Sequence, residues 1–254
     1  MFAPTLIRRE VVESTSDLAR QIVMERSAGL PFVVRADRQT RGRGRGDHAW
    51  WSDAGSLTFT IALDPAAHGL RPDHEPRLAL ATAVALVEAI GPFAPGAPLG
   101  LRWPNDVEAG GQKVAGLLPE RVETPAGVRL LVGIGVNVGT DLDLAPAEVR
   151  SLATTVERLR GGTLEAAATE ALFAAILDQF GRVRARLAED APDLAARWKD
   201  LDTLRGSHVR VDLGPRIIAG IARGIDDRGG LVVDDGREVT TLFGGRVLRD
   251  PASR

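Results

Sequence analysis

The chain has 254 residues and a formal net charge of −2, with 44% hydrophobic and 26% charged residues. That balance belongs to folded globular proteins rather than disordered ones, and it supplies no overall positive field to recruit nucleic acid. The absence of cysteine excludes disulfides, thiolate catalysis and zinc–sulfur sites, and His48, His68, His74 and His208, the four histidines, lack paired metal-ligand spacing.

At the N-terminus, MFAPTLIRREVVEST has no apolar core of signal-peptide length. Further on, no apolar run approaches the ~20 residues of a membrane span, so the expectation is a cytoplasmic protein with no membrane partner. ESTSDLARQIVMERSAGLP predicts a helix, with Ser14 or Thr15 as its cap, Asp17 in its first turn and Gly29-Leu30-Pro31 as its stop. FVVRA (32–36) reads as a short strand running into RGRGRG (41–46). In SLTFTIAL (56–63) the apolar residues Leu57, Phe59, Ile61 and Leu63 alternate, which predicts a half-buried strand. Residues 75–90 are apolar nearly all round, as in a buried helix.

Residues 99–104, 113–123 and 128–139 read as antiparallel strands, with Gly110-Gly111 and Pro125-Ala126-Gly127 as turns. Helical periodicity covers 163–189, and a second short helix starts at Pro192. From Gly206 five short β segments follow, separated by Gly, Asp and Pro turns. The organisation predicted is an α+β domain over residues 1–203 and a small β-barrel over 204–254. A barrel of that size gains stability by docking on a larger neighbour.

Three stretches carry chemistry. The alternating glycines of RGRGRG let the backbone approach a ligand closely, while the arginines between them can act as bidentate donors to carboxylate or phosphate. A solvated loop and an RNA-binding tract are the rival readings; the single copy, the flanking strands and the net charge weigh against the tract. Asp47 stands where a dinucleotide fingerprint would need glycine, so neither that motif nor a P-loop is present. In RWPNDVEAGGQKVAGLLPE (102–120), Pro104 puts Asn105 and Asp106 at a strand end. Lys113 there is either a snorkelling edge residue or a charge aimed into a pocket. Asp106 could hold Mg²⁺ on phosphates while Lys113 and the arginines neutralise transferring charge. In LLVGIGVNVG (130–139), two glycines inside a buried strand leave room for something flat, and Asn137 offers a polar group at its end.

ESTSDLA, RQTRGRGRGDHAWWSDAGSLTFTIAL, RWPNDV, QKVAGLLPE and GIGVNVG, in this order and spacing, resemble the bacterial biotin–protein ligase family. RWKDLDTLRGSHVRVDL…AGIARGIDDRGGLVV resembles that family's small SH3-like domain. The resemblance implies a mixed-sheet catalytic domain similar to class II aminoacyl-tRNA synthetases. It also implies joining of biotin to ATP as biotinyl-5′-adenylate, then transfer of biotin to a lysine of a biotin carboxyl carrier protein, usually the acetyl-CoA carboxylase subunit.

By the same resemblance Lys113 contacts the biotin carboxylate and then the adenylate, and the backbone of Arg43, Gly44 and Arg45 closes over the ligand, with Gly42 on its nucleotide side. Ser14, Thr15, Ser16 and Gln39 match positions that hydrogen-bond the biotin rings, and Gly116 and Gly135 would let the bicycle lie on the sheet. Trp50 resembles the aromatic that covers adenine. Asn105, Asp106 and Asn137 resemble the nucleotide side, with Mg²⁺ at Asp106.

The family usually continues GRGRRGR, whereas here Gly46 and Asp47 replace an Arg-Gly pair and Arg41 stands where a small residue is common. Ser16 replaces a frequent Asn. No helix-turn-helix precedes residue 8, as in the ligase-only members, so no nucleic-acid partner is expected. Family members include monomers and homodimers. The enzyme rivals are a lipoate- or octanoate–protein ligase on the same fold and a biotin-binding homologue with weak ligation.

Overall fold

The computed structural model describes residues 2–46, 48–191 and 194–249. The chain opens with a β-α-β unit: β1 (Thr5–Val12), α1 (Thr15–Glu25) and β2 (Phe32–Gln39), the two strands pairing in parallel. Ser14 caps α1, its side chain accepting from the Asp17 backbone N–H. The helix stops before the expected glycine and proline, because Arg26 turns left-handed (φ 54°) and donates its backbone N–H to the Ile22 carbonyl.

β3 (Ser56–Leu63) follows, then α2 (Glu75–Ile90), β4 (Leu99–Arg102), β5 (Asp106–Ala109), β6 (Gln112–Thr124) and β7 (Gly127–Asn137). Seven strands make one mixed sheet in the order β1-β2-β3-β7-β6-β5-β4. β5 is a strand that hydropathy did not single out. It is joined to β6 through Gly110 and Gly111, both at positive φ (57° and 80°), as a two-residue hairpin turn with that hand requires.

The two faces of this sheet differ. On one, α2 packs with α5 over Val33, Phe59, Ile61 and Ile134. On the other, α1 covers Phe32, Val34, Ala62 and Leu131. β3 lies between them and is buried along its whole length, not half-buried as its alternation suggested. Its polar positions, Thr58 and Thr60, face the α1 side; Thr58 bonds the Ala36 carbonyl and Thr60 meets side chains of α1.

The helical stretch Pro72–Phe93 that contains α2 is, at 22 residues, long and apolar enough to span a bilayer, more than the sequence reading allowed. Here most of it lies inside the core, with Leu78, Leu86 and Ile90 almost fully enclosed.

After β7 come α3 (Ala147–Arg150), α4 (Val156–Arg160), α5 (Ala166–Ala188) and α6 (Leu194–Leu201); the expected start of α6 at Pro192 lies outside the described residues. A buried cation ties α5 to the sheet. Arg35 of β2 donates to both carboxylate oxygens of Glu170 (2.6 and 2.8 Å), and its guanidinium lies 4.6 Å from the Phe173 ring centroid.

The five C-terminal segments form β8 (His208–Asp212), β9 (Ile217–Ile225), β10 (Leu231–Asp234), β11 (Val239–Leu242) and β12 (Arg246–Val247). They pair antiparallel in the order β11-β10-β9-β8-β12. Their inward residues, Val209, Val211, Ala222, Leu231 and Val233, join the main core. Docking is close at Gly229, whose carbonyl accepts from Trp103 Nε1 at 3.2 Å and where an added Cβ would fall 2.5 Å from Leu80 Cδ1.

Candidate active site

A pocket opens on the α1 face of the large sheet, beyond the area that α1 covers. The N-terminus of α1, the end of β2, the 41–50 loop, β6 and β7 enclose it. Its floor is made of glycines: Gly116 and Gly135 stand directly opposite each other on β6 and β7, and Gly133 lies two residues before Gly135 on the same face. The sequence reading gave this floor to a flat ligand. In the structure the Trp50 indole lies on it, so that a Cβ on Gly135 would fall 2.3 Å from Trp50 Cε2 and one on Gly116 3.2 Å from Trp50 Cζ3. The indole Nε1 is buried without a hydrogen-bond partner among the described residues. The cavity left is about 50 Å³, well short of the ~300 Å³ at which ligand pockets begin. Ligand entry therefore requires Trp50 to move.

One end of the pocket is neutral and polar. Ser14, Thr15 and Ser16 are all buried there. Gln39 Oε1 accepts from the Thr15 backbone N–H (2.7 Å) and from Thr15 Oγ1 (3.0 Å). The other end is cationic. Lys113 Nζ pairs with Asp106 at 2.5 Å and lies 5.3 Å from the Trp50 ring centroid. The rival reading of Lys113 as an edge residue reaching for solvent is thus overturned: its backbone N–H donates to Leu152 and its carbonyl accepts from Thr154, and its amine faces the pocket. Arg45 donates to the Gly245 carbonyl at 3.2 Å, tying the loop to the C-terminal sheet. Burial lowers the pKa of Arg45, with Asp106 opposing. Burial also lowers that of Arg102, with Arg249 adding repulsion and Glu108 and Asp106 opposing. Lys113, Arg45 and Arg102 therefore converge on Asp106.

Arg43 borders the pocket, but its guanidinium is turned onto Asp17 (2.8 Å) and Glu120 (2.9 Å). Burial pulls its pKa down, and these carboxylates outweigh burial and leave it raised. Gly42 does not line the pocket; it lets the chain pass the Trp50 carbonyl, which an added Cβ would meet at 2.4 Å. Gly44 and Asn105 do line it, and Asn105 Nδ2 donates to the Leu117 carbonyl at 2.6 Å.

Asn137 is buried beneath, its amide donating to the Lys113 and Thr154 carbonyls, so it braces Lys113 and is not presented to the pocket here. Gly46 is at φ +58°, a conformation that the arginine usual at this position adopts poorly; Asp47 lies outside the described residues. Arg249 pairs with Glu108 at 3.3 Å. Among the described residues no group of three or more His, Asp or Glu is placed to hold a metal ion. Gly133, Leu117 and Leu118 line the pocket and were missed. The period of two from Gly135 was the available signal for Gly133.

Residues 9–137 match the Biotin/lipoate A/B protein ligase family, and residues 205–249 match the Biotin protein ligase C terminal domain. The chain belongs to the biotin/lipoate A/B protein ligase family. The ligase is 32% identical over 250 residues to the biotin–[acetyl-CoA-carboxylase] ligase of Mycobacterium tuberculosis, covering 94% of this chain and 88% of that one. It is 33% identical over 221 residues to the enzyme of that name from Paracoccus denitrificans, covering 84% and 90%. Among solved structures, the biotin protein ligase from Aquifex aeolicus in complex with biotin and ATP superposes with a TM-score of 0.81 at 26% identity, covering 96% of this ligase and 97% of that chain.

Gly135→Ala tests the floor. The added methyl must push the Trp50 indole off the sheet, so the expected result is greater quenching of tryptophan fluorescence by acrylamide, with the fold retained. Unchanged quenching would show that the indole does not rest there in solution.

Proposed function

We propose that the ligase makes biotinyl-5′-AMP from biotin and ATP in this pocket and transfers the biotinyl group to a lysine of a biotin carboxyl carrier protein. The observation that supports this reading most is the pocket's polarity: a neutral, hydrogen-bonding end around Thr15 and Gln39, and a cationic end around Lys113 and Arg45. That arrangement suits a molecule with an uncharged polar ring at one end and a carboxylate at the other.

In the first step a carboxylate oxygen attacks the α-phosphorus, the bond to the β-phosphate oxygen breaks, and pyrophosphate leaves. Both reactants are anions, so their approach is opposed until cations stand between them. Lys113 is held on β6 to meet the carboxylate and the developing charge on the α-phosphate, and Arg45 to meet the phosphates. In the second step the carrier lysine amine attacks the acyl carbon, AMP leaves with the bonding pair, and the amine sheds its proton. Nothing in this sequence needs a cysteine.

Trp50, displaced from the floor, is in reach to cover the ligand; Ser14, Thr15, Ser16 and Gln39 take the rings, and Asn105 flanks the nucleotide. Mg²⁺ needs few protein ligands when it arrives on phosphates; Asp106, the carboxylate beside Lys113, would supply one, and the ion would screen the triphosphate charge. Residues 1–203 carry this site and residues 204–254 brace its loop through Gly245. An ATP-dependent reaction on a carboxylase subunit belongs in the cytoplasm.

The test is incubation of the protein with biotin, ATP, Mg²⁺ and a purified carrier domain. Biotinylation of one carrier lysine, read as a mass increase, is the expected result. Absence of both adenylate and labelled carrier, with lipoate accepted instead, would overturn the proposal.

A further inference from the structure

We infer that Thr60, which is buried behind the pocket lining, is a positioning residue that sets the hydrogen-bond polarity of the ring-binding end of the pocket. The inference rests on the biotin reading above and deepens it, by naming what makes that end selective for a cyclic urea.

Its starting point is an atom whose identity is forced. The Thr15 backbone N–H lies 2.7 Å from one terminal atom of the Gln39 side chain. A peptide N–H can only donate, so that atom is the amide oxygen, and the amide –NH₂ is turned the other way. Thr15 Oγ1 lies 3.0 Å from the same oxygen and must give it its proton. Thr60 Oγ1 lies 2.9 Å from Thr15 Oγ1; Thr15 has no proton left, so Thr60 donates. Ser16 Oγ lies 3.1 Å from Thr60 Oγ1, whose proton is now used, so Ser16 donates. The hydroxyl protons therefore run in one direction, Ser16 to Thr60 to Thr15 to Gln39.

What faces the pocket follows. The Thr15 and Ser16 hydroxyls present only oxygen lone pairs. Gln39 presents its amide N–H donors. Ser14, whose oxygen accepts from the Asp17 N–H at 3.4 Å, keeps its own proton to give. Acceptors for its two N–H groups and a donor for its carbonyl are the complement of a ureido ring. A dithiolane ring, as in lipoate, has neither and would leave buried acceptors unmatched. Thr60 is fully buried on β3 opposite Gly133. Gly133 is needed there because a Cβ would fall 2.8 Å from Ser16 Oγ. Without the Thr60 hydroxyl, the Ser16 proton loses its partner among the described residues and is free to turn into the pocket, donor against donor.

The experiment is titration calorimetry of the full-length protein with biotin, alongside steady-state kinetics, for wild type, Thr60→Val and Thr60→Ser. Thr60→Val keeps the shape and removes the hydroxyl; it is expected to weaken biotin affinity by about ten- to a hundredfold. KM for biotin should rise in step while kcat and KM for ATP stay put, and the preference for biotin over lipoate should shrink. Thr60→Ser should restore all of these. Should Thr60→Val lose its cooperative melting transition, Thr60→Ala carries the same expectation.

The inference is overturned if a folded variant without the hydroxyl binds biotin as wild type does. It is also overturned if biotin and ATP constants worsen together, or if Thr60→Ser fails as badly as Thr60→Val. Wild-type protein that binds biotin yet never ligates it overturns the function instead, since the affinity comparison needs no turnover.

Discussion

Lys113→Ala is expected to stop adenylate formation while leaving the fold intact. The backbone at Lys113 is pinned by hydrogen bonds to Leu152 and Thr154, so truncating its side chain does not release the strand. What disappears is the amine between Asp106 and the pocket. Its loss removes the charge that lets carboxylate and phosphate meet, and it takes from Asp106 its direct partner, leaving only Arg45 and Arg102 to offset that carboxylate beside two incoming anions. Removing one such preorganised group lowers rates by about a hundred- to a thousandfold, and the uncovered Asp106 makes the upper end the expectation. Lys113→Arg should not rescue the step, because a planar fork on a longer stem cannot occupy the place of a compact ammonium. Pyrophosphate release with biotin and ATP is the measurement, and an unchanged rate would remove Lys113 from the chemistry. Transfer from preformed biotinyl-5′-AMP should be less impaired, since that step begins with the anions already joined.

Glu170→Ala is expected to be the most destabilising single change away from the site. The pair it breaks is lopsided: the Arg35 side chain is 7% exposed, whereas that of Glu170 is 51% exposed. Deleting Glu170 leaves a buried guanidinium beside the Phe173 ring without its carboxylate, a loss of about 3–5 kcal/mol. Deleting Arg35 instead leaves a carboxylate that water already reaches, so Arg35→Met should cost less. A urea titration of both variants tests the asymmetry; equal midpoints would refute it.

The pair also carries a pH signature. The hydrogen bond from Arg35 lowers the pKa of Glu170 below the ordinary carboxylate value, against the opposing effect of desolvation. A depressed folded pKa means that stabilisation is complete above the unfolded pKa and lost as pH falls through the folded one. Wild type should therefore lose stability on acidification in that window, and Glu170→Gln should lack that component.

Much of this was legible in the chain. The periodicity of 75–90, the alternation of 56–63 and the turn glycines at 110–111 reflect local rules, namely which face is apolar and where φ must be positive. They locate elements wherever the chain later puts them. The motif residues Ser14, Thr15, Ser16, Gln39, Gly44, Arg45, Trp50, Asn105, Lys113, Gly116 and Gly135 do converge on one pocket. Spacing alone could not say so, because they come from five separate segments joined only by the order of strands in the sheet.

What the sequence by itself determined was the inventory: two sheets, the helices between them, a loop built for close approach, and the residue types for holding a carboxylate beside phosphates. Tertiary structure decided direction and occupancy. It turned Arg43 away onto Asp17 and Glu120, sank Asn137 beneath Lys113, laid Trp50 over the glycine floor and buried both faces of β3. The physical reason is that a side chain's partners are set by which neighbours the sheet order and the covering helices bring within hydrogen-bonding or van der Waals reach. Thr60 shows it most clearly: an ordinary strand threonine in the sequence, it acquires its proton's direction only because α1 sets Thr15 and Ser16 above it.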